Sequence, residues 1–233
     1  MADDLEQIGR PSRVQQLSAD GNTPSLGLGQ LMDRHERAGY ARMPIVRGGD
    51  TRGSAVSVRA VRREIELRRH TDADGDVLTA EGVAAALEIG ANLAGGYDLA
   101  VSTGAQRATQ TLACFLAALG QQVPGGVVVD SGLRSQVEDR WRAAYQKAGS
   151  GTLEALREAD PDLVAQDSER LGAALRGVLD RVPDGGRALV VGHSPTNEAA
   201  VLGLTAEIIA PLGKGAGVLV VAADDGYEVK APE

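Results

Sequence analysis

Residues 187–195 read Arg187-Ala188-Leu189-Val190-Val191-Gly192-His193-Ser194-Pro195. An unbroken apolar run that ends in a Gly-His-Ser-Pro turn describes a strand of the kind that parallel sheets bury on both faces. Working outward, extended and helical patterns alternate. The stretch 63–69 alternates around Ile65 and Leu67 and reads as a strand. Thr79 is a good N-cap, after which Val83, Leu87, Gly90 and Leu93 keep helical spacing up to Gly95-Gly96. A second strand is expected over 97–102. A helix follows over 106–119, with Leu112, Phe115, Leu116 and Leu119 on one face and Gly120 closing it. A third, short strand covers 127–130, and helical pieces follow at 136–147, 153–159 and 167–182. Beyond the opening stretch, 198–204 starts another helix. Segments 217–222 and 227–230, joined by Asp224-Asp225-Gly226, form a terminal hairpin. This order predicts an α/β three-layer sandwich, with helices flanking a mostly parallel central sheet.

The strand-and-helix pattern begins at Val58. Residues 1–57 are rich in Gly, Arg, Asp, Ser and Gln and carry little apolar periodicity beyond a short helix at 28–38. They are expected to form an N-terminal extension, partly irregular, that packs on the domain 58–233 or engages a partner, a second copy of the chain included. The chain has 233 residues and a formal charge of −8, which argues against a nucleic-acid binder or an anionic-membrane binder. Only 3% of residues are aromatic against 43% hydrophobic, so the core has to come from Ala, Val, Leu and Ile. The acidic start has no apolar core of an export signal, and no run of about 18 apolar residues exists, so a soluble cytoplasmic protein is expected. Cys114 alone can make neither an internal disulfide nor a cysteine-based metal site. Among 24 basic residues only Lys147, Lys214 and Lys230 are lysines; most of the arginine excess reads as coding bias, with some arginines left to hold anions in bidentate geometry.

Three polar clusters fall at the carboxyl ends of expected strands, where open α/β sheets bind ligands. They are Leu67-Arg68-Arg69-His70-Thr71, Ser102-Thr103-Gly104-Ala105-Gln106-Arg107-Ala108, and Gly192-His193-Ser194-Pro195. Together they place two imidazoles and two or three guanidiniums on one rim. That set suits phosphoryl transfer. A neutral imidazole attacks phosphorus at pH 7 without a separate base. Arginine forks match the equatorial oxygens of the phosphoryl group. A second, protonated histidine would add a donor, and the amides opening the 106–119 helix would favour the same anion.

This conjunction, from about Val58 to the C-terminus, resembles the histidine phosphatase superfamily with its phosphoglycerate-mutase-like fold. The family's Arg-His-Gly signature is met by Arg69-His70-Thr71, and its Leu-Thr-x-x-Gly helix start by Leu78-Thr79-Ala80-Glu81-Gly82. Ser102, Arg107, Ala108 and Thr111 meet its Ser-x-x-x-x-Arg-Ala-x-x-Thr stretch, and Gly192-His193 its late Gly-His. The resemblance implies a metal-independent phosphatase without cofactor. In it His70 is phosphorylated in turnover, Arg69 and Arg107 clamp the phosphate, and His193 is the second imidazole. The compact spacing is similar to that of small bacterial phosphohistidine phosphatases.

Two positions depart from the family pattern. Thr71 replaces the usual glycine, and a β-branched residue there is expected to narrow the site or shift the backbone. Ser135 stands where many members carry a glutamate acid; Glu138 and Asp139 lie one helical turn on, and Asp72 is a reserve proton donor. Without that acid, a good leaving group such as the imidazole of a phosphohistidine or the phosphate of an anhydride is favoured over a sugar alkoxide. The substrate is thus expected to be a phosphoprotein or a small phosphorylated metabolite.

Other patterns fail. Asp72-Ala73-Asp74-Gly75-Asp76 has Val77 at the sixth and Val83 at the twelfth position of a calcium loop, and reads as a solvated turn. Gly27-Leu28-Gly29 lacks a third glycine, and Gly213-Lys214-Gly215 lacks the P-loop frame. The competing expectation is a catalytically weak or silent phosphate-ligand binder on the same fold.

Overall fold

A computed structural model describes residues 62–223 and 226–232. The N-terminal extension 1–57, with its short helix and its partner role, lies outside the described residues, as do Asp224 and Asp225 of the hairpin turn.

The elements run β1 (Arg63–Arg69), β2 (Ala73–Asp74), β3 (Val77–Leu78), α1 (Ala80–Ala91), β4 (Leu99–Ser102), α2 (Gln106–Leu119) and β5 (Val127–Val129). There follow α3 (Glu138–Ala148), α4 (Leu153–Ala159), α5 (Pro161–Arg181), β6 (Arg187–Gly192), α6 (Thr196–Thr205), β7 (Gly217–Ala223) and β8 (Gly226–Lys230). Six strands form one sheet in the order β5-β4-β6-β1-β7-β8. The first four are mutually parallel, and β7 and β8 add an antiparallel hairpin at one edge. The small β2–β3 hairpin stands apart from it.

Strand alternation divides the core between two faces. Ile65 and Leu67 of β1 join Ala188 and Val190 of β6 in a cluster with side chains of α3, α4, α5 and α6. Leu189 and Val191 turn to the other face and meet Ala86 of α1 and Ala108, Leu112 and Phe115 of α2. Tyr97, Phe115 and Trp141 are the buried large aromatics, so aliphatic packing carries the interior as the composition implied. Cys114 is half-buried beside the α2 cluster. No helix among the described residues is long and apolar enough to cross a membrane.

Local signals account for most element ends. Thr79 caps α1 by accepting from the Gly82 amide at 2.9 Å. Gly120 closes α2 in the left-handed conformation. The start of α5 differs from the expected residue 167. It begins six residues earlier, at Pro161, which fits the first turn where no N–H is needed, and Asp160 caps it by accepting from Leu163 N at 3.1 Å. Helix α3 likewise begins at Glu138, two residues later than expected.

The α5–α6 crossing depends on missing side chains. A methyl group on Gly203 would run into the Ser168 carbonyl, and one on Gly172 would meet the Gly203 backbone at 2.4–2.7 Å. Both obstacles are backbone and cannot rotate away. Gly203→Ala is therefore expected to destabilise the domain by about 3 kcal/mol, the upper part of the overpacking range. Urea unfolding measures this; a change below about 0.5 kcal/mol would mean that the helices separate easily.

Candidate active site

Strands β4, β6 and β1 are neighbours, run parallel, and end within one residue of one another. Arg69 pairs with Gly192, and Ser102 with Val191. The next residue of each strand, His70, His193 and Thr103, therefore emerges on one rim. The two imidazoles sit with ring centroids 5.2 Å apart.

Asn197, in the first turn of α6, ties this rim together. Its Oδ1 accepts from the His193 amide at 3.1 Å, and its Nδ2 donates to the Arg68 carbonyl at 3.1 Å. Gly192 leaves the space for that amide, since a Cβ there would strike Asn197 Oδ1. Gly192→Ala should then disturb both histidines, although neither touches the new methyl group.

The His70 ring is oriented by a short local bond. Nδ1–H donates to the Thr71 carbonyl at 2.7 Å, which fixes the proton on Nδ1 and leaves the lone pair on Nε2. Burial pulls the His70 pKa below its ordinary value; the Thr71 bond opposes this, while Arg107, Arg69 and Lys214 add to it. His70 is thus neutral at pH 7. Burial also lowers His193, to about 3, helped by Arg107, His70 and Arg134. The expectation of a protonated second imidazole is corrected for the free protein: a ring this buried among cations holds no charge at neutral pH. His193 Nε2 hydrogen-bonds Thr103 Oγ1 at 2.9 Å, and its buried Nδ1 has no partner among the described residues.

The arginines have different surroundings. Arg69 donates from Nη1 to the Leu212 carbonyl at 2.8 Å, and its buried Nε has no partner among the described residues. The Leu212 amide donates in turn to the buried Glu198 at 2.6 Å, so one residue's backbone links Arg69 to the α6 carboxylate. Arg68 is held by Glu66 and by the Gly215 carbonyl and is not a clamp. Arg107 pairs with Asp76 at 2.9 Å.

A cleft of 290 Å³ opens beside His193, lined among others by Arg107, Arg134, Ser135, Glu138 and Trp141. His70 and Arg69 are not part of that lining and adjoin it through His193. The two expected proton donors part company here. Glu138 faces the cleft, with Arg134 Nε donating to it at 2.6 Å. Asp72 does not line it: it is ion-paired with Lys214 and accepts from the Thr79 hydroxyl at 2.8 Å. Those two bonds hold its pKa below the usual carboxylate range, so it is an anion at neutral pH and the reserve-donor expectation is corrected.

Thr71 does not narrow the site. Its side chain is 1% exposed and turns toward α2, with Thr71 N donating to Thr111 Oγ1 at 3.2 Å. The backbone there is not left-handed, so glycine is not required for conformation. Thr71→Gly is expected to change kcat by less than about threefold and to cost roughly 1 kcal/mol of stability, read from steady-state rates and urea unfolding.

The Asp72–Asp76 stretch is the exposed turn that the sequence suggests, with residues 74–77 open to solvent, and its last carboxylate also makes contacts with α2. The Asp76 carboxylate accepts from Arg107 Nη1 at 2.9 Å and from the Gln106 amide at 3.1 Å. The first amide of α2 is therefore engaged within the protein.

The sequence matches no protein-family model and no curated protein. Solved structures do resemble it. A phosphoglycerate mutase from Bacillus anthracis str. Sterne is 21% identical over 74% of this chain and 93% of its own, with a TM-score of 0.53. Bacillus stearothermophilus YhfR is 15% identical over 72% and 96%, with a TM-score of 0.56. A phosphoserine phosphatase from Entamoeba histolytica, solved with 3-phosphoglyceric acid, is 16% identical over 73% and 98%, with a TM-score of 0.52. The chain has the phosphoglycerate-mutase-like fold.

On this phosphoglycerate-mutase-like scaffold, sequence reasoning missed several site residues. Arg134 and Trp141 reach the cleft from the segment between β5 and α4, which carries no strand-end signal. Trp141 is steered by a bond from its Nε1 to the buried Asp167 at 2.7 Å, a long-range contact. Asn197 lies five residues after Gly192, close enough to find, but only strand pairing shows what it bridges.

Proposed function

We propose that this protein is a phosphatase that works through a covalent phosphohistidine at His70. The observation that carries the reading is the 2.7 Å bond from His70 Nδ1 to the Thr71 carbonyl, which presents a neutral Nε2 lone pair beside a second imidazole.

In the first step His70 Nε2 attacks phosphorus, the bond from phosphorus to the leaving group breaks, and the leaving group takes that electron pair. In the second, water attacks phospho-His70, inorganic phosphate departs, and the imidazole is restored. Arg69 and Arg107 balance the charge on the phosphoryl oxygens. His193 is hydrogen-bonded to Thr103 Oγ1 through Nε2, and the tautomer with its proton on Nδ1 would add a donor to the phosphoryl oxygens. No step calls on a metal ion, and EDTA should leave the rate unchanged.

The leaving group distinguishes substrates. Ser135 Oγ accepts from the Val137 amide at 3.1 Å and is an alcohol, too weak an acid to replace a carboxyl group, and Glu138 is the one expected donor that reaches the cleft. A substrate whose leaving group needs little protonation fits this best: a phosphohistidine, an anhydride or an aryl ester. Turnover of p-nitrophenyl phosphate is expected to exceed that of glycerol phosphate by about 10²-fold or more in kcat/KM. Equal rates would show an efficient proton donor at work.

A silent phosphate binder is the second reading, favoured by Ser135 standing where the resemblance places the proton-donating glutamate. Vanadate binding without p-nitrophenyl phosphate turnover at any pH from 5 to about 8 would select it.

A further inference from the structure

The β2–β3 hairpin lies between the proposed nucleophile and α1, and its last carboxylate belongs to Asp76. Asp76 Oδ1 accepts from Arg107 Nη1 at 2.9 Å, and Oδ2 from the Gln106 amide at 3.1 Å. The Gly75 carbonyl adds a longer contact to the same guanidinium nitrogen, 3.4 Å. Both donors are ones that a phosphoryl group at this rim would use: an arginine, and the amide at the positive end of a 14-residue helix. An internal anion is thus seated on anion-binding groups.

The seat is weak by construction. The Arg107 and Asp76 side chains are 23% and 48% exposed, so solvent screens their attraction and releasing it costs little. A singly charged ligand offers these donors no more than Asp76 already does. A dianionic phosphoryl group offers twice the charge and three acceptor oxygens, and it also meets Arg69 and His193.

We propose that Asp76 is an intramolecular competitor that holds Arg107 and the α2 amide until a phosphoryl group displaces it, and that it thereby lowers the affinity of every anion that needs those two donors. This rests on the reading of Arg107 as a phosphate-binding group, and it gives the hairpin a role in setting anion affinity.

The test uses full-length wild type, Asp76→Asn and Asp74→Asn. The first substitution keeps the shape of the side chain and removes its charge; Asp74 carries the same charge two residues away, in β2. Inorganic phosphate is titrated calorimetrically at low salt, sulfate and acetate are titrated alongside, and p-nitrophenyl phosphate kinetics are measured. In Asp76→Asn the phosphate Kd should fall about fivefold, with sulfate and acetate gaining by a similar factor. KM should fall by a larger factor than kcat changes. Asp74→Asn should stay within about twofold of wild type in all of these.

Unchanged or weaker phosphate binding in Asp76→Asn would overturn the proposal, because Asp76 would then be holding Arg107 in place for the ligand. An equal gain in Asp74→Asn would overturn it too, since long-range charge alone would explain both. Tighter phosphate binding in Asp76→Asn without turnover by any variant supports the competitor and removes the phosphatase. Turnover with an unchanged phosphate Kd does the reverse.

Discussion

His70→Asn is expected to lower kcat for p-nitrophenyl phosphate by at least about 10⁴-fold. Asparagine can keep a polar contact to the Thr71 carbonyl through its amide, so the rim should hold its shape. What it lacks is a lone pair on nitrogen able to bond to phosphorus. The loss should fall on kcat, with phosphate and vanadate still binding through the arginines. Circular dichroism and urea unfolding establish that the fold persists. The pH profile gives a second handle on wild type. His70 titrates below its ordinary value of 6.5 because it is buried among cations. The acid limb of kcat/KM should therefore have its midpoint below pH 6.5, and activity should persist into mildly acidic solution. A variant with more than a hundredth of wild-type kcat, about 2.7 kcal/mol of barrier, would assign the chemistry to another group.

His193→Asn is expected to lower kcat by about 10²–10³-fold, the usual cost of one preorganised donor to transition-state oxygens. The same substitution should make the protein less sensitive to acid. The folded-state pKa of His193 is lowered to about 3 from 6.5. The folded protein therefore binds fewer protons than the unfolded chain, and stability rises with pH. This contribution is fully present above pH 6.5 and is lost as pH falls from there toward 3. Between pH 7 and 4.5 wild type should lose about 2.5 kcal/mol through this group, and the variant should keep that amount. Urea unfolding at the two pH values measures the difference. Equal losses in both proteins would mean that His193 is charged in the folded state. A bound phosphoryl dianion works in the opposite direction, since it stabilises imidazolium, so phosphate binding near pH 6 should be accompanied by proton uptake.

The sequence was most readable where short-range rules apply. The boundaries of β1 and α4 agree with expectation because alternation and capping act over a few residues. Thr79 caps α1 for the same reason. The apolar run at 187–192 is buried from Ala188 to Gly192, which placed His193 at a strand end. His70 and His193 share a rim because β1 and β6 pair in parallel, a relation that chain order makes natural but does not require. Contacts between distant segments were not readable. Nothing near Asp76 announces Arg107, 31 residues on. The charge state of His193 depends on burial by several elements, and composition cannot supply that. Thr71 was misread for the same reason: its β-branch looked like an obstruction, whereas Thr111 and α2 receive it. Of the 24 basic residues, Arg69, Arg107 and Lys214 now lie close enough to affect the His70 charge. Arg134, which sequence reading passed over, lines the cleft together with Arg107.

The central claim is the covalent step at His70. Full-length protein should be mixed rapidly with p-nitrophenyl phosphate, quenched in alkali, where phosphohistidine survives, and mapped by mass spectrometry. The expected result is phosphate on Nε2 of His70, formed at least as fast as steady-state turnover and absent from His70→Asn. Turnover with no phosphate on any residue, or with phosphate on His193 or a carboxylate instead, would contradict it.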